Sequence, residues 1–457
     1  MPEGPRAYRR LIGPGIIAAG VGLASGEFIL YPYIASQVGL VFVWAAMVGL
    51  VTQFFLNMEI ERYTLATGET ALTGFSRYWR HWGLVFALLT YFANLWPGWA
   101  TSSATLVTYV FGGDSSLIAI GMLVAIGLIL TLAPVVYVAL ERAQMLKVAA
   151  VILLFVVGAI FAIGAEAWAD VPEVITRPHI PAAELGFALL LGALAFAGGG
   201  GGQNLVQANW IRDKGFGMGT YVPRLVSPIT GQPEAAPSTG YIFEPTSENL
   251  SRWRAWWKFA NIEQLSTFVL ITFFTILFTS LLAFATVFGR PDLASDISFI
   301  QTEGEVLGER VGSWFQYFFW GIGAFALFAA ALGIVDYTSR LAADVLRAGS
   351  EREQALRESG VGPGHDRDHR PAGGLRPADR APGDLSGGRR LHDVPLFRAA
   401  DPDQPEDPAG ADPGPRASPG CARLVDPAVR HPVGNYLRHP DPDTLRRLSP
   451  IPSHGRH

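Results

Sequence analysis

The segment 13–27, GPGIIAAGVGLASGE, is an apolar run that breaks at glycine and serine and then meets a single carboxylate, Glu27. At membrane depth nothing outside the protein can hydrogen-bond an exposed backbone. An interrupted helix survives there only when it is buried in protein or lines a cavity. A second interruption, the five glycines 198–202 followed by Gln203 and Asn204, falls in a later apolar stretch. Two glycine-interrupted spans, one in each half of a chain, point to a transport site near the bilayer midplane. The expectation is a multi-pass all-α membrane protein that moves a solute.

A span needs about 20 mostly apolar residues. Eight stretches qualify: about 12–34, 40–58, 83–110, 116–134, 147–166, 185–207, 264–288 and 313–335. Loop charge tests this assignment. With the N-terminus inside, the cytoplasmic segments up to residue 350 carry 16 of the 19 Lys and Arg, among them Arg142, Lys147, Arg212 and Lys214. The outer loops carry only Arg177, Arg290 and Arg310. That asymmetry supports both the eight spans and a cytoplasmic N-terminus in the cell membrane. No cleavable signal peptide is expected, because the apolar run after Arg10 is of spanning length. The outer loop 289–312 is acidic, with Asp292, Asp296, Glu303, Glu305 and Glu309, and reads first as a solvated loop.

The largest cytoplasmic feature is the loop 208–263. Its end is expected to form a helix with Trp253, Trp256 and Trp257 beside Arg252, Arg254 and Lys258, a composition suited to the membrane interface. Topology accounts for these basic residues, and no nucleic-acid partner is expected. The bilayer and a small solute are the expected partners.

Residues 351–457 differ from the rest. They hold 17 of the 32 Pro and 7 of the 9 His, with no Lys and no Trp, and cannot bury a core. Two readings stand: a disordered tail, or coding sequence read out of frame from near residue 350, which would leave an inactive truncated product. No histidine spacing in this stretch matches a metal site. The lone cysteine, Cys421, leaves no internal disulfide.

Several motifs resemble those of the Nramp family of divalent metal-ion transporters. They are Gly13-Pro14-Gly15 opening the first span, Gly26 at its break, Gln53-Phe54-Phe55-Leu56 in the second and Ala66-Thr67-Gly68 closing it. Residues 198–209 and 327–347 are similar to that family's sixth and eighth spans. The resemblance implies a LeuT-like inverted-repeat helical bundle, with the second repeat incomplete over these eight spans. It places the site between the first and sixth spans. The family's Asp-Pro-Gly-Asn motif falls on Ala24, Ser25, Gly26 and Glu27, and its Met-Pro-His motif on Gly201, Gly202 and Gln203. The family's second sixth-span histidine falls on Ala208, and its acidic pair in the third span has no counterpart in 83–110. The scaffold matches while the usual ligands do not.

The candidate substrate or cation site is therefore Ala24, Ser25, Gly26, Glu27, Gly198, Gly201, Gln203, Asn204 and Gln207, with Glu27 and Gln203 as candidate metal ligands. An ionisable group at membrane depth is a functional candidate by default; the alternative is a structural carboxylate held by backbone N–H groups where the helix restarts. Amide oxygens and one carboxylate form a hard ligand set, suited to Mg²⁺ or Mn²⁺ as substrate rather than to a softer metal. No cofactor is expected. A small organic solute is the second substrate class. Gln203, Asn204 and Gln207 have an equal alternative as interhelical hydrogen-bonding groups. Glu59, Glu61 and Arg62 are expected in surface or gate pairs, and Asp336 with Arg340 in an i, i+4 pair. An intramembrane enzyme is not expected, because Glu27 is the one carboxylate clearly inside a span and the only histidines before residue 350 are His81 and His179.

Overall fold

The computed structural model describes residues 1–5, 12–79, 81–94, 98–224, 229, 240–291 and 293–358, and these contain helices and no strands. Helix α1 is Pro14–Gly22. Pro14 opens it with a preset backbone, and Leu23 leaves it at ψ 78°. A π-helical turn, Gly26–Leu30, restarts the span and runs into α2, Tyr31–Val38. The two parts of this span are bent by 51°. Helix α3 is Trp44–Thr67, closed by Gly68 in the left-handed conformation. After the short α4, Ala71–Tyr78, come α5, Trp82–Ala93, and α6, Gly98–Phe111. Helix α7, Ser115–Leu132, starts where Asp114 accepts the Leu117 N–H at 2.9 Å. Helix α8 is Val136–Phe161, α9 is Phe187–Phe196 and α10 is Gly201–Lys214. Helix α11, Ser247–Glu263, passes through a π turn, Gln264–Val269, into α12, Leu270–Val287. Helix α13 is Ser298–Val311, and α14 is Ser313–Glu358.

Among the described residues, five helices are long and apolar enough to cross a membrane, and the bent first pair makes a sixth. Helix α3, whose polar end carries Asn57, Glu59, Glu61 and Arg62, and helices α5 and α6 lie where the second and third spans are expected. Helices α1 and α10 are central and pack on α3, α8, the π turn before α12, and α14. Helix α7 is peripheral. It buries only Ala119 and Ile126, while Leu117, Ile120, Val124 and Leu128 face outward, as lipid contact requires.

Several boundaries differ from the expectation. The fifth span begins at Val136, not near 147, so Lys147 is a fully buried residue of α8 and not part of a cytoplasmic loop. The tryptophan helix does not lie along the membrane surface. Trp253 and Trp256 are buried in protein, Trp256 packs on Phe216 at 5.5 Å, and its Nε1 donates to the Glu3 carbonyl at 3.1 Å. The helix continues into the seventh span as one helical stretch, Ser247–Val287. The acidic outer loop folds into α13 and buries Glu303. Asp292 and residues 359–457, including the tail's histidines and Cys421, lie outside the described residues, as do Trp96 and Pro97 of the third span.

Candidate functional site

The two breaks meet backbone to backbone. A Cβ on Gly22 would lie 2.1 Å from the Gly198 carbonyl oxygen, so only glycine permits this approach. Gly198 itself has φ +86°, and a Cβ there would also come within 2.5 Å of Leu50. The second break spans 197–200, and the helix resumes at Gly201, so it is shorter than the five-glycine run.

Glu27 joins the two breaks. Its Oε2 accepts the Ala24 N–H at 3.1 Å and its Oε1 accepts the Gly198 N–H at 2.9 Å. Thr279 on α12 donates to the Glu27 carbonyl at 2.7 Å. The carboxylate lies in the first turn of a restarting helix, the end that favours negative charge. Glu27 is thus both a buried ionisable group and a bridge between the two halves.

The carbonyls freed by the breaks are taken by long polar side chains from neighbouring helices. Gln53 on α3 donates to Ala197 at 2.7 Å and Gly199 at 2.9 Å. Gln203 on α10 donates to Ala18 at 2.7 Å and Gly198 at 3.1 Å. Lys147 on α8 donates to Gly20 at 2.6 Å and also to Leu23. Each interruption therefore persists because its backbone is satisfied inside the protein.

Of the residues expected at the site, Ala24, Glu27, Gly198 and Gln203 converge on this point. Ser25 and Gly26 are half-buried at its edge. Gly201 does not face Glu27; it is exposed, and a Cβ there would meet nothing within 4 Å. Asn204 and Gln207 face α3 instead. Asn204 donates to Asn57 at 2.7 Å and Gln207 to Glu61 at 2.8 Å. Gln53, Asn57 and Glu61 recur every fourth residue along α3 opposite Gln203, Asn204 and Gln207 on α10. The result is a polar ladder leading from the breaks. Gln53 Oε1, Asn57 Nδ2, Glu61 Oε2 and Gln207 Oε1 are buried and have no hydrogen-bond partner among the described residues. Such a ladder suits water or a passing polar solute.

Glu61 is thus a buried member of this ladder rather than a surface group, while Glu59 and Arg62 do pair at the surface. Glu263 also departs from the expected cytoplasmic loop. It is buried beneath the start of α1, where Oε1 accepts the N–H groups of Gly13 at 3.1 Å and Gly15 at 3.0 Å. The Gly13-Pro14-Gly15 motif was the available signal, since a helix start with bare N–H groups calls for a carboxylate. Asn94 has a packing role, accepting from Tyr337 at 2.9 Å. Ala208 is fully buried. Among the described residues no group of three or more His, Cys, Asp or Glu side chains is placed to hold a metal ion. A cation at the breaks would meet one carboxylate with amide and carbonyl oxygens.

No protein-family model and no curated protein matches the chain. Solved structures do match. A mutant of the Eremococcus coleocola manganese transporter is 12% identical, with 79% of this chain and 74% of that one covered and a TM-score of 0.50. The same transporter in complex with an aromatic bis-isothiourea substituted compound is 13% identical, with 78% and 74% covered and a TM-score of 0.50. The likeness is one of fold: the chain is a multi-pass, LeuT-like helical bundle whose first and sixth spans are broken where they touch.

Proposed function

We propose that this chain is an Nramp-related secondary transporter that carries a divalent cation, Mg²⁺ or Mn²⁺, across the cell membrane by alternating access, with its N-terminus in the cytoplasm. The observation that carries the reading is Glu27, one buried carboxylate hydrogen-bonded across both helix breaks. A cation arriving there would exchange hydration for the Glu27 carboxylate, the Gln203 amide oxygen and carbonyls of the two breaks, all hard donors. The α3–α10 ladder would offer polar groups along the way. The manganese transporter of the same fold supports a metal ion as cargo. Uptake of radiolabelled manganese into proteoliposomes, with competition by magnesium, tests the reading. No uptake of any divalent ion, from protein that is folded and correctly inserted, would end it.

A second reading, a small organic amine, is favoured by one specific observation. The ladder consists largely of amides that can both donate and accept, which suits an organic solute as well as an ion. A panel of amines tested for uptake in the same proteoliposomes separates the two.

A further inference from the structure

Helices α8 and α12 pack side by side, with the rings of Phe155 and Phe278 4.3 Å apart, and beside this contact lies a groove of about 340 Å³. Val151 and Phe155 line one wall, and Leu270 and Phe274 the other. Leu23, at the exit of α1, is its fully buried floor. Two polar side chains border the groove. Ser266 donates to the Ile262 carbonyl at 2.7 Å and Thr275 to the Ile271 carbonyl at 2.8 Å, so both are satisfied within their own helix. The walls therefore offer water almost nothing to bond. Leu270 and Phe274 are exposed at the mouth on a helix of spanning length, so the medium there is hydrocarbon. An acyl chain is the occupant that suits such a groove, since an empty one forfeits the contacts of its lining.

A second feature says which lipid. Lys258, Ile262, Ser266, Leu270 and Phe274 follow one another at every fourth residue and all are exposed, so one stripe leads down to the groove. It is basic at its first position and apolar at its last. Lys258 lies about 12 Å before Ser266 along the axis. On the facing helix the exposed Arg142 lies about 9 Å before Val148, another residue of the wall. Gly13 meets both Glu141 of α8 and Glu263 of α11, so the two helices enter at the same level, on the side of the N-terminus. The groove thus has a basic residue on each helix at one end. Glu141, beside Arg142, is already paired with Lys214, and no acidic residue occurs between Asn249 and Ile262. Trp257, half-buried and stacked on Trp253 at 5.8 Å, suits the headgroup level. Long basic side chains at this depth reach headgroup phosphates.

We propose that this groove holds an acyl chain of an anionic phospholipid, with the headgroup between Arg142 and Lys258. The leaflet is the one on the side of the N-terminus. The chain rests on Leu23, so the lipid braces the end of α1 at the first break. The inference does not depend on which solute is carried.

The test is thermal unfolding of the purified full chain in neutral detergent, with added phosphatidylglycerol or phosphatidylcholine of the same acyl chains. Phosphatidylglycerol should raise the unfolding temperature saturably, as ligand linkage requires, and phosphatidylcholine should not. Arg142→Gln and Lys258→Gln change exposed side chains, and each should weaken the apparent affinity for phosphatidylglycerol about fivefold. Leu270→Trp, which fills the mouth with an apolar ring, should abolish the response. Phosphatidylglycerol with a photoreactive group on its acyl chain should label peptides within 148–155 and 266–275. Equal stabilisation by both lipids overturns the proposal, because any acyl chain then serves. So does a response carried unchanged into the two glutamine variants, or labelling spread evenly over the other lipid-facing spans. No stabilisation by either lipid also overturns it, and that measurement needs only the wild-type protein.

Discussion

Arg340 on α14 donates through Nη1 to Asp213 on α10 at 2.6 Å, and its Nε holds Asp336 at 2.8 Å. All three side chains are buried, and Trp210 adds a hydrogen bond to Asp336 at 3.2 Å. The i, i+4 pair expected from sequence is thus part of a lock between the sixth and eighth spans. Removing one partner of such a group strands the others. Arg340→Met should cost about 3–5 kcal/mol of stability, and Asp213→Asn less. Thermal unfolding of the two single variants and the double variant would measure the coupling, and simple additivity would show that no lock exists.

Glu27→Gln should abolish cation uptake while the protein still inserts. The two N–H groups now bond different oxygens of Glu27, and a carboxamide would turn its NH₂ toward one of them, so a stability loss of about 1–3 kcal/mol should accompany the functional one. Uptake assays with a protease-protection control for insertion check both parts. Near wild-type uptake would remove Glu27 from the transport site.

The glycines at the second break should separate by geometry. Gly198→Ala forces a Cβ into φ +86° and against Leu50, and should sharply lower both stability and uptake. Gly201→Ala enters open space at the start of α10 and should be neutral or stabilising by about 0.4–1 kcal/mol. Melting curves and uptake for the two variants decide it; equal damage from both would mean that the run serves helix packing alone.

Glu303 on α13, outside the membrane-spanning segments, is buried with one oxygen unpartnered among the described residues, and burial pushes its carboxyl up from 4.5 to about 8. Below the unfolded value both states hold the proton and stability is at its maximum. Between about pH 5 and pH 8 the unfolded chain releases the proton while the folded chain keeps it, so stability falls as pH rises, then levels off. Glu303→Gln should flatten that profile and raise the unfolding temperature more at pH 8 than at pH 5. An unchanged slope in the variant would show that Glu303 does not titrate as described.

The spans were legible because apolar length and loop charge are local properties, and Glu27 and Gly198 stood out as a charge and a break in apolar context. Lys147, Glu61 and Glu263 did not stand out. Each lies near the end of an apolar run, where charge counting assigns it to a loop. Each is explained only by a partner far along the chain: Gly20 for Lys147, Gln207 for Glu61 and Gly15 for Glu263. The tryptophans of α11 misled for the same reason. Trp with Arg and Lys fits a membrane surface and a protein interior equally well until Phe216 and Glu3 are known to cover them.

Among the described residues, side chains at two places on the helical stretch Ser247–Val287 hydrogen-bond the broken first span. Glu263 holds the start of α1, and Thr279 holds the turn beyond the break. These bearings are about 24 Å apart along the axis at 1.5 Å per residue. Between them lies the π turn Gln264–Val269, a locally widened coil. A single rod therefore supports both pieces of a hinged arm. For α1 to swing while the turn at Glu27 stays in place, either the Glu263 bearing releases Gly13 and Gly15 or the rod flexes at its π turn. The joint in the seventh span and the Glu263 bearing would together set how far the two pieces of the first could move apart.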